Sequence, residues 1–261
     1  MSDQMRARRP APDLRDRVPS PDSCDRRPAP DSHNLAPDNL HRATIEYYNL
    51  RQVHGDMPHR VPRGPAPDLP AEQARMVRES QEAMRGRKVL EVASGTGSAT
   101  REIAETAVSV TGVEIAPNML DLAAENDNPP NVSYLAGDAF ELGSIAPGKR
   151  FDGGFAAGFL HTCPASRHAE FLHGFHARLE EGSVVFMRSS RPTSPDAVSR
   201  LFRIEGHEDQ FMTRQLSDGS EFVMVENDPT EDELRRIFEP LSKNLMVHIG
   251  NYWWWIRYEL S

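Results

Sequence analysis

Between Lys88 and Arg188 the chain alternates short β-type runs with helical ones, and this alternation restricts the fold more than any other feature. KVLEVA (88–93) precedes a helix expected over 98–106, and VSVTGVEI (108–115) precedes one over 117–126 that Pro117 opens. NVSYLA (131–136) leads through a polar loop to FDGGFAA (151–157). A helix over 165–180 then passes through Glu181-Gly182 into SVVFMR (183–188). Strands joined by helices close as right-handed crossovers, which predicts an α/β, doubly wound, mostly parallel sheet with helices on both faces. The closing LMVHIGNYWWWIRYEL reads as two strands joined at Gly250-Asn251. The last strand is then antiparallel to its predecessor and brings the sheet to seven strands.

The flanks are of a different character. LHRATIEYYNLRQVH (40–54) reads as a helix, followed by a Pro/Gly loop over 55–67. Asp68 is placed to cap a second helix, with Pro70 in its first turn and Gly86 past its end. The region 190–228 breaks the alternation: QFMTRQLSDGSEFVMVEN is two β-type runs around Asp218-Gly219, a two-residue hairpin signal, giving a β-hairpin insert near 208–226. Thr230 and Glu233 form a capping box for a helix over 230–239. Residues 1–38, with PAPD twice among Arg and Asp, have too few large apolar residues to offset ordering entropy and are expected to be a disordered leader. The remainder, 39–261, is read as one domain, with 39–86 as an N-terminal helical cap and 190–228 as a substrate-side insert.

Composition narrows the function. A formal net charge of −9 argues against affinity for phosphate backbones, so no nucleic-acid partner is expected. Cys24 and Cys163 make no disulfide framework and no C-x-x-C suggests a metal. With no membrane-length apolar run and no signal-peptide pattern at the start, the expected setting is the cytoplasm and the expected partner a small-molecule substrate. A homodimer is left open.

The turn in KVLEVASGTGSAT (88–100) is a nucleotide signal, but an ambiguous one. A P-loop is excluded, because no G-x-x-x-x-G-K-[ST] is present. A dinucleotide fingerprint is two-thirds met by Gly95 and Gly97, and Glu114 supplies the ribose-binding acid about twenty residues on. Three features lean toward S-adenosylmethionine. Glu91 lies inside the first strand, where a carboxylate repels a pyrophosphate and suits an ammonium. Asp138, in AGDAFEL, follows the third strand, where it can accept from an adenine amino group while the Ala139 amide meets the ring. The antiparallel final strand is the third.

In order and spacing, VLEVASGTGSAT, VTGVEIAPNMLDLAAEN, NVSYLAGDAFEL, RFDGGFAAGFLHTCP and YWWWIRYEL make the chain from about 40 to 261 resemble the class I, Rossmann-like S-adenosylmethionine-dependent methyltransferases of the bacterial small-molecule type. The resemblance implies that Glu91 and the turn, Ala93, Ser94, Gly95 and Gly97, hold the methionine part. It gives Glu114 both ribose hydroxyls, Ile115 a place against the adenine, and Met119 a place among the cofactor contacts. Asp138 and Ala139 would read the adenine edge, and Phe155 and Ala156 would pass beneath the methionine. A hydroxyl of the Tyr47–Tyr48 pair, here Tyr48, would meet the methionine carboxylate. The fourth-strand motif, FAAGFLHTCP, departs from the [ND]-P-P-[YF] of enzymes that methylate planar exocyclic nitrogens, so base methylation is not expected.

The function expected is in-line methyl transfer to an oxygen or nitrogen of a small organic molecule. The alternatives are an NAD(P)-dependent oxidoreductase and a non-catalytic S-adenosylmethionine-binding protein. His161, following the fourth strand at the sheet's carboxyl edge, is the candidate base, since an ordinary imidazole titrates near pH 6.5. Arg51 is read as a surface residue, His207 as part of a solvated acidic loop, and Cys163 as lacking an organised base. Alternation sends Trp253 and Trp255 to one face of the sheet and Trp254 to the other, mainly as cover. Phe211, Met212, Phe222 and Met224 are assigned to a lid or a dimer contact.

Overall fold

The computed structural model describes residues 35–53, 66–193 and 195–261; the expected leader over 1–34 and the loop over 55–65 lie outside these. The parallel strands are β1 (Lys88–Val92), β2 (Ser109–Glu114), β3 (Val132–Ala136), β4 (Phe151–Ala157) and β5 (Leu179–Ser190). With β9 (Ser242–Ile249) and β10 (Trp253–Leu260) they form a sheet of order β3-β2-β1-β4-β5-β10-β9. Only β10 runs against its neighbours, pairing antiparallel with both β5 and β9. This is the doubly wound sheet that the alternation predicts.

Period-two alternation sorts the side chains into two cores. Leu90 and Val92 of β1, Val185 and Met187 of β5, and Trp254, Ile256 and Tyr258 of β10 face a layer that holds α5 (His168–His176) and α7 (Glu231–Phe238), through Phe171, Phe175, Leu234 and Phe238. Val89, Phe155, Val184, Phe186, Trp253 and Trp255 face the opposite layer, where α2 (Leu69–Met84) and α3 (Ser98–Ala104) supply Met76, Met84 and Ile103. The three tryptophans divide between faces as alternation requires, and Trp254 and Trp255 are buried.

Several boundaries differ from expectation, each for a local reason. The helix expected over 165–180 is α5 alone, preceded by a 3₁₀ turn at Ala165–Arg167. The Glu181-Gly182 turn survives inside β5 as a bulge: Phe151 pairs with Leu179 but Gly153 pairs with Val184, with Gly182 at φ 76° absorbing the extra residues. Asp68 sits at the start of α2 without a side-chain cap bond. The Thr230–Glu233 capping box is present in both directions.

The insert is larger than a hairpin. Short α6 (Pro195–Ser199) precedes β6 (Leu201–Arg203), which pairs with β7 (Gln210–Gln215), itself paired with β8 (Glu221–Val225), in a separate three-stranded sheet. The β7–β8 loop is a three-residue one, not the expected two-residue one. Leu216 and Ser220 still bond across it, and Gly219 takes the left-handed position at φ 92°. Helix α1 (Pro37–Val53) packs on this sheet. Tyr47 is fully buried against Leu216 and Met224, with Phe222 beside it, and Leu35 and Leu40 bury against Phe211 and Val225. Leu35 through Asp38 thus belong to the fold and not to the leader. The four apolar residues assigned to a lid or dimer contact are instead largely the seat of α1: Phe211, Met212 and Met224 are buried within the chain.

Candidate functional site

Between α1 and the carboxyl ends of β1, β2 and β4 lies a cavity of about 310 Å³. Open α/β sheets bind ligands at this edge, where the strand order reverses between β1 and β4. From the β1–α3 turn it is lined by Ala93, Ser94, Gly95 and Thr96. The turn is shaped by positive φ at Ala93 (52°), Gly95 (57°) and Gly97 (76°). Gly97 does not line the cavity; a Cβ there would strike the Tyr134 hydroxyl, so its role is to let the turn close.

Glu114, at the end of β2, is the cavity's acidic residue. Its Oε2 accepts the Gly95 amide at 2.8 Å, and its Oε1 accepts those of Ile115 (3.0 Å) and Ala116 (2.9 Å). Burial raises its pKa from the ordinary carboxylate value, and the three amides oppose that shift. Ile115 and Met119 line the wall beside it, Met119 from α4 (Pro117–Glu125). A carboxylate fixed by amides at a glycine turn, next to an apolar wall, fits a ribose diol and a base. The lining holds no lysine, and its two arginines, Arg51 and Arg214, come from α1 and β7.

Helix α1 closes the cavity from above with His41, Thr44, Ile45, Tyr48 and Arg51, one helical face by spacing. Asn49 pins it to the start of α4, its Oδ1 accepting the Asn118 amide at 3.0 Å. The floor is Ala157, Gly158 and Phe159, followed by His161 through Pro164. His161 is buried; its Nδ1 lies 2.9 Å from the Ser189 hydroxyl. That hydroxyl also lies 3.3 Å from the Ser190 carbonyl, to which it can donate while accepting from Nδ1.

Not every residue singled out from the sequence meets here. Glu91 is fully buried in the opposite layer, facing Thr100 and Arg188, and does not line the cavity. Desolvation pushes its pKa up to about 8, which favours the neutral acid in the ligand-free chain. Asp138 and Ala139 are also outside the lining, where Phe140 stands instead. Asp138 receives His41 Nε2 at 2.9 Å and the Phe140 amide at 2.9 Å. Burial opposes its ionisation, but these hydrogen bonds outweigh it and hold the pKa below the usual carboxylate value. Phe155 and Ala156 pack into the two cores, one on each face, and the cavity begins one residue later.

Arg51 and Arg214 are the reverse case: the first reads as a surface residue and the second carries no sequence signal, yet both line the cavity. For Arg51 the His41–Thr44–Ile45–Tyr48 periodicity held the clue. Cys163 is buried and its thiol is pushed well above the ordinary range by desolvation, so it is no nucleophile. Among the described residues no cluster of metal-ligating side chains exists, and no helix is long and apolar enough to cross a membrane.

Residues 89–182 match the family described as "Methyltransferase domain". Of curated proteins, a demethylmenaquinone methyltransferase of Tropheryma whipplei is 50% identical over 38 residues, 15% of this chain and 16% of the relative. The match thus spans about a sixth of that relative's length. The structure of DhpI in complex with SAH superposes with a TM-score of 0.65 at 22% identity, covering 87% of this chain and 99% of that one. A 1,6-didemethyltoxoflavin-N1-methyltransferase of Burkholderia thailandensis, bound to that compound and S-adenosylhomocysteine, gives 0.53 at 17% identity, covering 87% and 91%. The fold is therefore the Rossmann-like fold of class I methyltransferases.

Proposed function

From a class I methyltransferase fold with a cavity at the carboxyl edge of its sheet, we propose that this chain methylates an oxygen or nitrogen of a small organic molecule, with S-adenosylmethionine as donor. The observation that carries the reading is the Glu114 carboxylate, fixed beside the glycine turn and opening on the same cavity as His161. The sheet order supports it against an oxidoreductase, since the dinucleotide fold needs no inverted strand.

In this reading Glu114 takes the ribose hydroxyls, Ile115 and Met119 flank the adenine, and the turn from Ala93 to Gly95 approaches the methionine. The bound cofactor supplies a methyl group on a sulfonium, so the acceptor's lone pair displaces a neutral thioether. The protein's part is alignment and exclusion of water, and orientation of this kind is worth roughly 7–11 kcal/mol of barrier. α1 closes over the cavity and keeps water out. With Nδ1 held by Ser189, His161 takes the acceptor's proton at Nε2. Glu91 and Asp138 act indirectly, Glu91 under the turn and Asp138 by holding His41.

The test is thermal shift with S-adenosylhomocysteine against NADH, then methyl transfer to a metabolite library. Stabilisation by NADH alone overturns the reading, and cofactor binding with no transfer to any acceptor points to the non-catalytic alternative. Ser189→Ala is expected to lower kcat and change its pH profile while cofactor affinity holds. An unchanged profile would remove His161 as the base.

A further inference from the structure

Glu114 is the one acidic side chain that lines the cavity among the described residues, and its oxygens already accept three backbone amides. Two guanidinium groups line the same cavity. Arg214 projects from β7, with side-chain exposure of 2%, and its Nη2 lies 2.5 Å from Oε2 of Glu226, a fully buried residue outside the lining. That pair is neutral as a unit, but the buried Nε of Arg214 has no hydrogen-bond partner among the described residues. Arg51, on α1, forms no ion pair among the described residues: its guanidinium lies 5.1 Å from the centre of the Tyr48 ring, and its Nε is likewise buried without a partner among them. Arg214 stands 5.3 Å from the Tyr47 ring, and the two tyrosine rings are 5.2 Å apart. Both cations thus flank one aromatic pair.

Desolvated guanidinium groups are costly unless an anion or hydrogen-bond acceptor meets them. Guanidinium forks match carboxylate and phosphate oxygens in particular. The location also matters. Glu226, the partner of Arg214, directly precedes Asn227, whose amide donates to the His161 carbonyl at 2.8 Å. Arg214 therefore stands on the side of the candidate base, and Arg51 flanks the same aromatic pair. Resting on the methyl-transfer reading, we infer that the acceptor carries an oxyanion, a carboxylate or a phosphate-type group, which Arg51 binds with help from Arg214.

The experiment uses the full-length protein saturated with S-adenosylhomocysteine, titrated calorimetrically with inorganic phosphate and, separately, with acetate at constant ionic strength. Wild type is compared with Arg51→Met, which keeps the apolar stem, and with Arg51→Lys. Saturable binding of at least one anion is expected. A loss of about tenfold or more is expected in Arg51→Met, with partial recovery in Arg51→Lys. Preference for phosphate assigns a tetrahedral group, and preference for acetate a planar one. The inference is overturned if neither anion binds, or if Arg51→Met binds them as wild type does. It is also overturned if that variant loses S-adenosylhomocysteine while anion affinity holds, since Arg51 would then serve the cofactor's own carboxylate. Failure of wild type to bind S-adenosylhomocysteine would instead sink the methyl-transfer reading.

Discussion

Glu114 and Glu91 are both buried acids near one glycine turn, yet their surroundings give them opposite tasks. Glu114 is met by three amides at the cavity wall, and in the proposed reading removing it deletes the acceptor for a ribose diol. Glu114→Ala is expected to weaken S-adenosylhomocysteine binding by about ten- to a hundredfold, read by calorimetry. Unchanged affinity would refute the ribose assignment. Glu91 has its pKa raised from 4.5 to about 8 by desolvation, so the fold favours its neutral form. Its contribution to stability is complete below pH 4.5 and is lost as pH rises through about 8. Glu91→Gln is expected to flatten the fall in melting temperature between these values; a slope identical to wild type would contradict the buried neutral acid. The letter was legible in the sequence, but its direction was not. Glu91 alternates with Leu90 and Val92 and so shares the α2–α3 face of β1 with Val89, outside the cavity lining.

At the scale of elements, the β9–β10 hairpin shows how a distant helix completes a turn. The Glu72 carboxylate of α2 accepts the amides of Asn251, Tyr252 and Trp253 at 3.0, 3.0 and 2.8 Å. A Cβ on Gly250 would collide with that carboxylate. Glu72→Ala is expected to cost about 1–2 kcal/mol in denaturant unfolding, through amides left to water. Gly250→Ala should cost at least as much, and less when combined with Glu72→Ala because the clash is gone; additive losses would disprove the coupling. Trp254, fully buried between β5, β9 and the α7 layer, is expected to cost about 3–5 kcal/mol as Trp254→Ala. Strand alternation announced both tryptophan faces in advance. Glu72 could not be anticipated, because its partners are about 180 positions away.

The seven-stranded sheet is roofed by parts from two places in the chain: α1 from before β1, and the β6–β7–β8 sheet from between β5 and β9. Because α1 lines the cavity and rests on that second sheet, cofactor binding is expected to slow hydrogen exchange in α1 and in β7–β8, with little change in α5. Protection confined to the β1–α3 turn would argue against α1 as the closing element. The sheet, its inverted strand, the glycine turn and Glu114 follow from the sequence alone. Period-two and period-3.6 patterns, turn residues and strand-end acids are local signals, and local physics suffices to read them. Tertiary structure alone decided that Asp138 is taken by His41, that Glu91 stays out of the cavity lining, and that Arg51 and Arg214 line one cavity. Those outcomes depend on how α1 and the insert pack across the sheet edge, and contacts between elements so far apart in the chain leave no periodic trace in it.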